Sequence, residues 1–229
     1  MYKRQNYSCE TIGVFTVTLT ATDNSGNSAT CDASVTVVDD TPPTALCQDV
    51  TVQLDANGTG SVDVTDIDAG STDNCGASLS LSGTTNYNCE TTGTFTVTLT
   101  ATDDSGNSTT CDASVTVVDD TPPTAICQDV TVQLDANGTV SVSANDIDGG
   151  SSDNCGIVSM TVNPTDFDCD DVGTNAVTLT VADGAGNSAD CVAQVTVEDI
   201  IPPVAACQDV TLSLDANGTV TVTVADMDN

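Results

Sequence analysis

The sequence predicts an all-β protein: tandem β-sandwich modules of about 80 residues, arranged as beads on a string. Three observations carry this. The chain repeats itself at a fixed spacing of 80: Cys9-Glu10-Thr11 returns as Cys89-Glu90-Thr91 and, altered, as Cys169-Asp170-Asp171. The nine residues Phe15–Asp23 recur unchanged at Phe95–Asp103, and Cys47-Gln48-Asp49-Val50 recurs at Cys127 and Cys207. A period that long marks a modular array. Within each period, apolar and polar residues alternate with the period of two that a half-buried strand requires.

The strands follow one another in a readable order. Val50, Val52 and Leu54 alternate with Thr51 and Gln53. Asp55-Ala56-Asn57-Gly58 supplies a hairpin turn, and Ser61-Val62-Asp63-Val64 leads the return strand. Phe95, Val97, Leu99 and Ala101 alternate with threonines, whose branched side chains suit the outer face. Asp104-Ser105-Gly106-Asn107 turns the chain, and Cys111, Ala113, Val115 and Val117 then share the inward parity. Helical periodicity is limited to one turn near Asp66-Ile67-Asp68. About seven short strands per module, separated by turn signals, describe an immunoglobulin-like sandwich.

The Pro-Pro pairs punctuate the array. Complete modules run over 42–121 and 122–201, while 1–41 matches the second half of a module and 202–229 the first half. Met1-Tyr2-Lys3-Arg4-Gln5 fits no repeat and holds the only Lys and Arg; we read it as adapter-derived, the alternative being a genuine short N-terminus, and set it apart from the fold. The expectation is a chain cut within a module at both ends. The alternative is head-to-tail self-association, in which 202–229 of one copy completes 1–41 of the next. Those two halves together lack the counterpart of 150–160, which favours truncation.

Composition excludes several functions. The 34 acidic residues against 2 basic ones, a net charge of −32, repel nucleic acid and anionic membrane surfaces. No stretch approaches the 18 apolar residues of a membrane-spanning helix. His is absent, so no Ser-His-Asp or Cys-His arrangement exists. Paired carboxylates abound, but a glycosidase needs an enclosed acid beside aromatic platforms, and aromatics are 3%. We expect no enzyme.

Eleven cysteines at repeated positions point to an oxidising, extracytoplasmic setting. Each complete module has four, which allow three connectivities. The favoured one joins Cys47 to Cys111 and Cys75 to Cys89, then Cys127 to Cys191 and Cys155 to Cys169, leaving Cys9, Cys31 and Cys207 without partners. Loop closure then contributes about 4 kcal/mol for each long bridge and about 3 for each short one.

Asp outnumbers Glu heavily, and short carboxylates in turns suit Ca²⁺. The expected cofactor is structural Ca²⁺, with three acidic clusters in register. The first is Asp66, Asp68 and Asp73, repeated at Asp146, Asp148 and Asp153; it resembles the front of a calcium loop, or equally a set of capped turns. The second lies between modules, at Asp39-Asp40, Asp119-Asp120 and Glu198-Asp199, where adjacent carboxylates call either for a cation or for a charged hinge. The third, at the hairpin tips Asp23, Asp103-Asp104 and Asp183, is explained by turn chemistry and not counted as a site.

Asp39-Asp40-Thr41-Pro42-Pro43, Cys47-Gln48-Asp49-Val50, Asp73-Asn74-Cys75-Gly76 and Ala101-Thr102-Asp103-Asp104-Ser105-Gly106-Asn107 together resemble the hyalin repeat, or HYR-like, domain. With Leu54-Asp55-Ala56-Asn57-Gly58-Thr59, the array is similar to those of giant Bacteroidetes surface proteins exported by type IX secretion. The resemblance implies an immunoglobulin-like fold and an adhesive or stalk role at the cell surface, with no catalytic residues to carry over. Two alternatives are a module that binds a surface glycan or protein through Ala77–Asn88, which differs strongly from Ile157–Asp168, and an accessory array of a secreted hydrolase.

Overall fold

The computed structural model describes residues 5–228; Met1–Arg4, most of the adapter-like start, and Asn229 lie outside the described residues. A hairpin comes first, β1 (Gly13–Thr22) and β2 (Ser28–Val37), paired antiparallel with Leu19 opposite Cys31. The first complete module follows with β3 (Val50–Gln53), β4 (Thr59–Ser61), the single turn α1 (Val64–Ile67), β5 (Ala77–Ser82), β6 (Asn86–Asn88), β7 (Gly93–Asp103) and β8 (Ser108–Val118). The second repeats it with β9 (Val130–Gln133), β10 (Thr139–Ser141), α2 (Ala144–Ile147), β11 (Ile157–Asn163), β12 (Asp166–Asp168), β13 (Gly173–Asp183) and β14 (Ser188–Glu198). A last turn, α3 (Val224–Met227), closes the sequence of elements.

Each module is a sandwich of a four-stranded and a two-stranded sheet. The larger runs β3-β8-β7-β5, the smaller β4-β6, and the second module repeats both orders. β3 pairs parallel with β8, Val50 opposite Val115, whereas β7 pairs antiparallel with β8 and β5. Parity does the sorting: Val97, Leu99 and Ala101 of β7 and Val115 of β8 are fully buried, and Val97, Leu99 and Val115 meet Val52, Leu54, Val62, Ile67 and Tyr87. Burying one such aliphatic side chain contributes about 1.5–3 kcal/mol.

Six strands form in the first complete module rather than seven. Pro42 and Pro43 lack amide donors, so the segment behind them makes only isolated bridges, Thr44 to Thr72 and Cys47 to Asp68. The turn at Asp55–Gly58 forms, but β3 and β4 do not pair as a hairpin: β3 lies beside β8 in the larger sheet and β4 beside β6 in the smaller. The return strand is also shorter than expected. β4 stops at Ser61 because Asp63 caps α1, accepting from the Thr65 N–H at 2.7 Å while Asp66 accepts the Asp63 N–H at 2.8 Å.

Two compact units divide the chain. One holds residues up to 124 with 152–159 and 181–189; the other holds 125–151, 160–180 and the chain from 190 onward. The loop before β11 and the tip after β13 therefore group with the first complete module.

Candidate metal centre at the module junctions

Four disulfides form among the described residues. Cys47–Cys111 and Cys127–Cys191 each join the segment before a module's first strand to its last strand. The other two correct the sequence reading: Cys75–Cys89 and Cys155–Cys169 do not form. Cys75 bonds to Cys9, and Cys155 bonds to Cys89, linking one repeat to the next. The strand register supplies the reason. Ala77, just after Cys75, pairs with Asp103 at one end of β7, whereas Cys89 lies just ahead of Gly93 at the other end. Ten residues of strand, roughly 30 Å, separate those ends. A disulfide holds its Cα atoms at about 4–7 Å, and Cys89 and Cys155 stand 5.2 Å apart. Cys31, Cys169 and Cys207 are free and exposed.

The junction disulfides sit beside two sets of carboxylates. Asp39, Asp73 and Asp103 form one and Asp119, Asp153 and Asp183 the other, with the nearest carboxylate oxygens of each set within 4.8 Å of one another. Each set draws one Asp from the segment after a module's last strand, one from the Asp-Asn-Cys loop of the next repeat, and one from that repeat's hairpin tip. Asp103 and Asp183 make the turn bonds that the sequence predicts, and they also face these two sets. Asp183 Oδ1 accepts the N–H groups of Ala185, Gly186 and Asn187 at 2.7–3.0 Å. The Asn187 amide then donates to Asp183 Oδ2 at 2.8 Å and to the Asp119 carbonyl at 3.0 Å. Asn107 repeats this, donating to Asp103 Oδ2 at 2.7 Å and to the Asp39 carbonyl at 3.1 Å. One carboxamide thus ties each hairpin tip to the chain entering the module.

Burial of Asp103 and Asp183 by itself raises their pKa values. The hydrogen bonds from Asn107 and Asn187 and from the turn amides outweigh it and hold both carboxyls below the ordinary 3.8. Both are ionised at neutral pH. The loop members are positioned as firmly: Asp73 Oδ2 accepts the Cys75 N–H at 2.7 Å, and Asp153 Oδ2 the Cys155 N–H at 2.8 Å. Asn154 donates to Asp119 Oδ1 at 3.2 Å and to the Asp55 carbonyl at 3.1 Å.

Those bonds leave some oxygens over. Asp73 Oδ1, Asp119 Oδ2, Asp153 Oδ1 and Asn154 Oδ1 are buried with no donor, and Asp119 as a whole is 6% exposed. Leaving a buried acceptor unpaired costs about 1–3 kcal/mol. Carboxylates this close repel by roughly 3–4 kcal/mol per pair at an effective dielectric near 20. No Lys, Arg or His exists among the described residues to offset either cost. An all-oxygen, multiply anionic donor set fits a hard divalent cation of the Ca²⁺ class.

The remaining sequence candidates are placed elsewhere. Asp40, Asp120, Glu198 and Asp199 are exposed and belong to neither set. Asp66 and Asp146 close capping boxes on α1 and α2, while Asp68 and Asp148 accept the Ser71 and Ser151 N–H groups at 2.8 and 2.9 Å. No helix among the described residues is long and apolar enough to cross a membrane.

The family model described as HYR domain matches residues 38–117 and 118–197. Hyalin of Strongylocentrotus purpuratus is 37% identical over 208 residues, 84% of this chain and 17% of that protein. Hyalin of Lytechinus variegatus is 33% identical over 210 residues, 86% of this chain and 39% of that protein. The chain therefore spans about a sixth and two-fifths of these relatives. Among solved structures, a protocadherin gammaB7 EC3-6 cis-dimer is 18% identical, with 94% of this chain and 65% of that one aligned at a TM-score of 0.33.

Proposed function

The chain belongs to the HYR domain family, and from that premise we propose that it is a non-catalytic, extracellular repeat region of an adhesion or stalk protein. Successive modules are fastened by a disulfide and by Ca²⁺. The observation that carries this is the second junction, where Asp119, Asp153 and Asp183 converge beside Cys89–Cys155 with buried oxygens left unpaired. Asp119 and Cys89 come from one repeat, Asp153, Asp183 and Cys155 from the next, so a bound cation and the cystine each bridge two repeats. Three carboxylates and the Asn154 carboxamide oxygen supply ligands on this reading, and water completes the shell. An affinity of about 10⁻⁴–10⁻³ M, usual for extracellular calcium modules, suffices where calcium is millimolar.

The absence of His, and of any basic side chain among the described residues, supports a structural rather than catalytic role. Thermal unfolding of the full chain in 10 mM Ca²⁺ and in EDTA tests the proposal. At a hundredfold excess over Kd, each site adds about 2.7 kcal/mol, so the Ca²⁺ sample should melt several degrees higher. Identical melting curves would remove calcium from the account.

A second reading has one observation in its favour. The residues that differ most between modules, Ala77–Asn88 and Ile157–Asp168, include β5, an edge strand. A glycan or protein ligand would meet that edge, and glycan-array binding by the full chain, lost on exchanging 77–88 for 157–168, would support it.

A further inference from the structure

Resting on the calcium reading above, we propose that the junction disulfide and the junction cation protect each other. Cation binding makes Cys89–Cys155 harder to reduce, and the intact disulfide tightens the cation site. Both ties run through one tripeptide. Asp153 offers the unpaired Oδ1 to the carboxylate set while its Oδ2 holds the Cys155 N–H at 2.8 Å. Asn154 bonds across the junction to Asp119 Oδ1 at 3.2 Å and the Asp55 carbonyl at 3.1 Å. Cys155 is bonded to Cys89. Cutting the disulfide releases this loop, and the cation must then order it alone, against the conformational entropy of its backbone.

A second feature besides the cluster itself points to a ligand: Asp119 is more than nine-tenths buried, and its Oδ2 has no donor. The first junction repeats the design. Asp73 Oδ2 holds the Cys75 N–H at 2.7 Å, Asn74 donates to the two Asp39 carboxylate oxygens at 3.3 and 3.4 Å, and Cys75 is bonded to Cys9. The other disulfides, Cys47–Cys111 and Cys127–Cys191, include no neighbour of a set member within two residues and serve as internal controls. Binding linkage is reciprocal: the factor by which the disulfide tightens the cation equals the factor by which the cation shifts the dithiol–disulfide equilibrium. Typical coupling of this kind is about 5–150-fold.

The test equilibrates the full chain with mixtures of reduced and oxidised dithiothreitol, in 10 mM Ca²⁺ and in EDTA. Each reduction takes two electrons and two protons from the dithiol, giving two cysteine thiols and the cyclic disulfide of the reagent. Alkylation and peptide mapping then read each pair. The expected result is an at least fivefold shift toward the disulfide for Cys89–Cys155 and Cys9–Cys75 in Ca²⁺, with Cys47–Cys111 moving less than twofold. Asn154→Ala, which keeps both cysteines and all three carboxylates, should shrink the shift at Cys89–Cys155 alone. An equal shift at all four pairs means global stabilisation and overturns the proposal, as does no shift. Calorimetric titration of the oxidised chain separates the two readings. Binding without a disulfide shift sinks the coupling only, whereas no binding sinks both.

Discussion

The same nine residues occur in two settings, Phe15–Asp23 along β1 and into its turn, and Phe95–Asp103 in β7. Both form antiparallel hairpins in one register, Leu19 opposite Cys31 and Leu99 opposite Cys111. Both end in the same turn, with Asp23 and Asp103 accepting the N–H groups two and four residues on. Burial is where they part. Leu99 is 0% exposed and Leu19 66%; Asp103 is buried and Asp23 is exposed. β7 is flanked by β5, and β8 by β3, while β1 and β2 form a two-stranded sheet. Strand and turn are local properties of these nine residues, whereas core and carboxylate site are properties of what packs on them.

Substitutions at paired positions sharpen that contrast. The largest effect should come from Cys47→Ser with Cys111→Ser, which removes a cross-link 64 residues apart and costs about 4 kcal/mol in urea denaturation. Cys31→Ser, at the position equivalent to Cys111, should leave stability unchanged. Next, Leu99→Ala should cost about 2–5 kcal/mol and Leu19→Ala less than about 0.5. Comparable losses at the two leucines would break the comparison.

A smaller effect separates a turn from a junction. Gly58 and Gly138 both sit at positive φ, +72° and +75°, where a side chain costs about 1–2 kcal/mol. A Cβ on Gly58 would collide with Cys89 Sγ and lie 2.8 Å from the Asn154 carbonyl oxygen; one on Gly138 meets only Cys169 Sγ. Gly58→Ala should therefore lower the melting temperature more than Gly138→Ala, and should also slow closure of Cys89–Cys155 on reoxidation.

The smallest effect is one of pH. The Asp55 and Asp135 carboxyls are held below 3.8, chiefly by the backbone N–H groups of Thr59 and Thr139. A folded value below the unfolded one gives stability that is whole above the unfolded value and is lost as pH falls through the folded value. In EDTA, the melting curves of the parent and an Asp55→Ala, Asp135→Ala variant should stand apart above about pH 4 and converge below it. A gap that widens on acidification would contradict this.

Much of this molecule could be read from its sequence. Period-two alternation marks β7 and β8, and inward parity places Cys111 on the core side of its strand. Asp39, Asp119, Asp73 and Asp153 stood out through the residues around them. The approach of Asp103 and Asp183 to these carboxylates is not legible there, because their bonds to Asn107 and Asn187 account for one face of each, and pattern cannot show what approaches the other. The junction disulfides were hidden for a related reason. Pairing Cys75 with Cys89 leaves three cysteines over, and so does pairing Cys89 with Cys155, so counting cannot choose between them. Only the direction of β7 sets Cys75 and Cys89 at opposite ends of the module.

Calcium counted per chain by equilibrium dialysis at millimolar free Ca²⁺, in the parent and in Asp183→Asn, puts the junction centre to its most direct test. Two ions are expected on the parent, one for each set of three carboxylates, and one on the variant. No bound ion at 5–10 times the upper affinity expected for extracellular modules, about 10⁻³ M, or an unchanged count in Asp183→Asn, would contradict it.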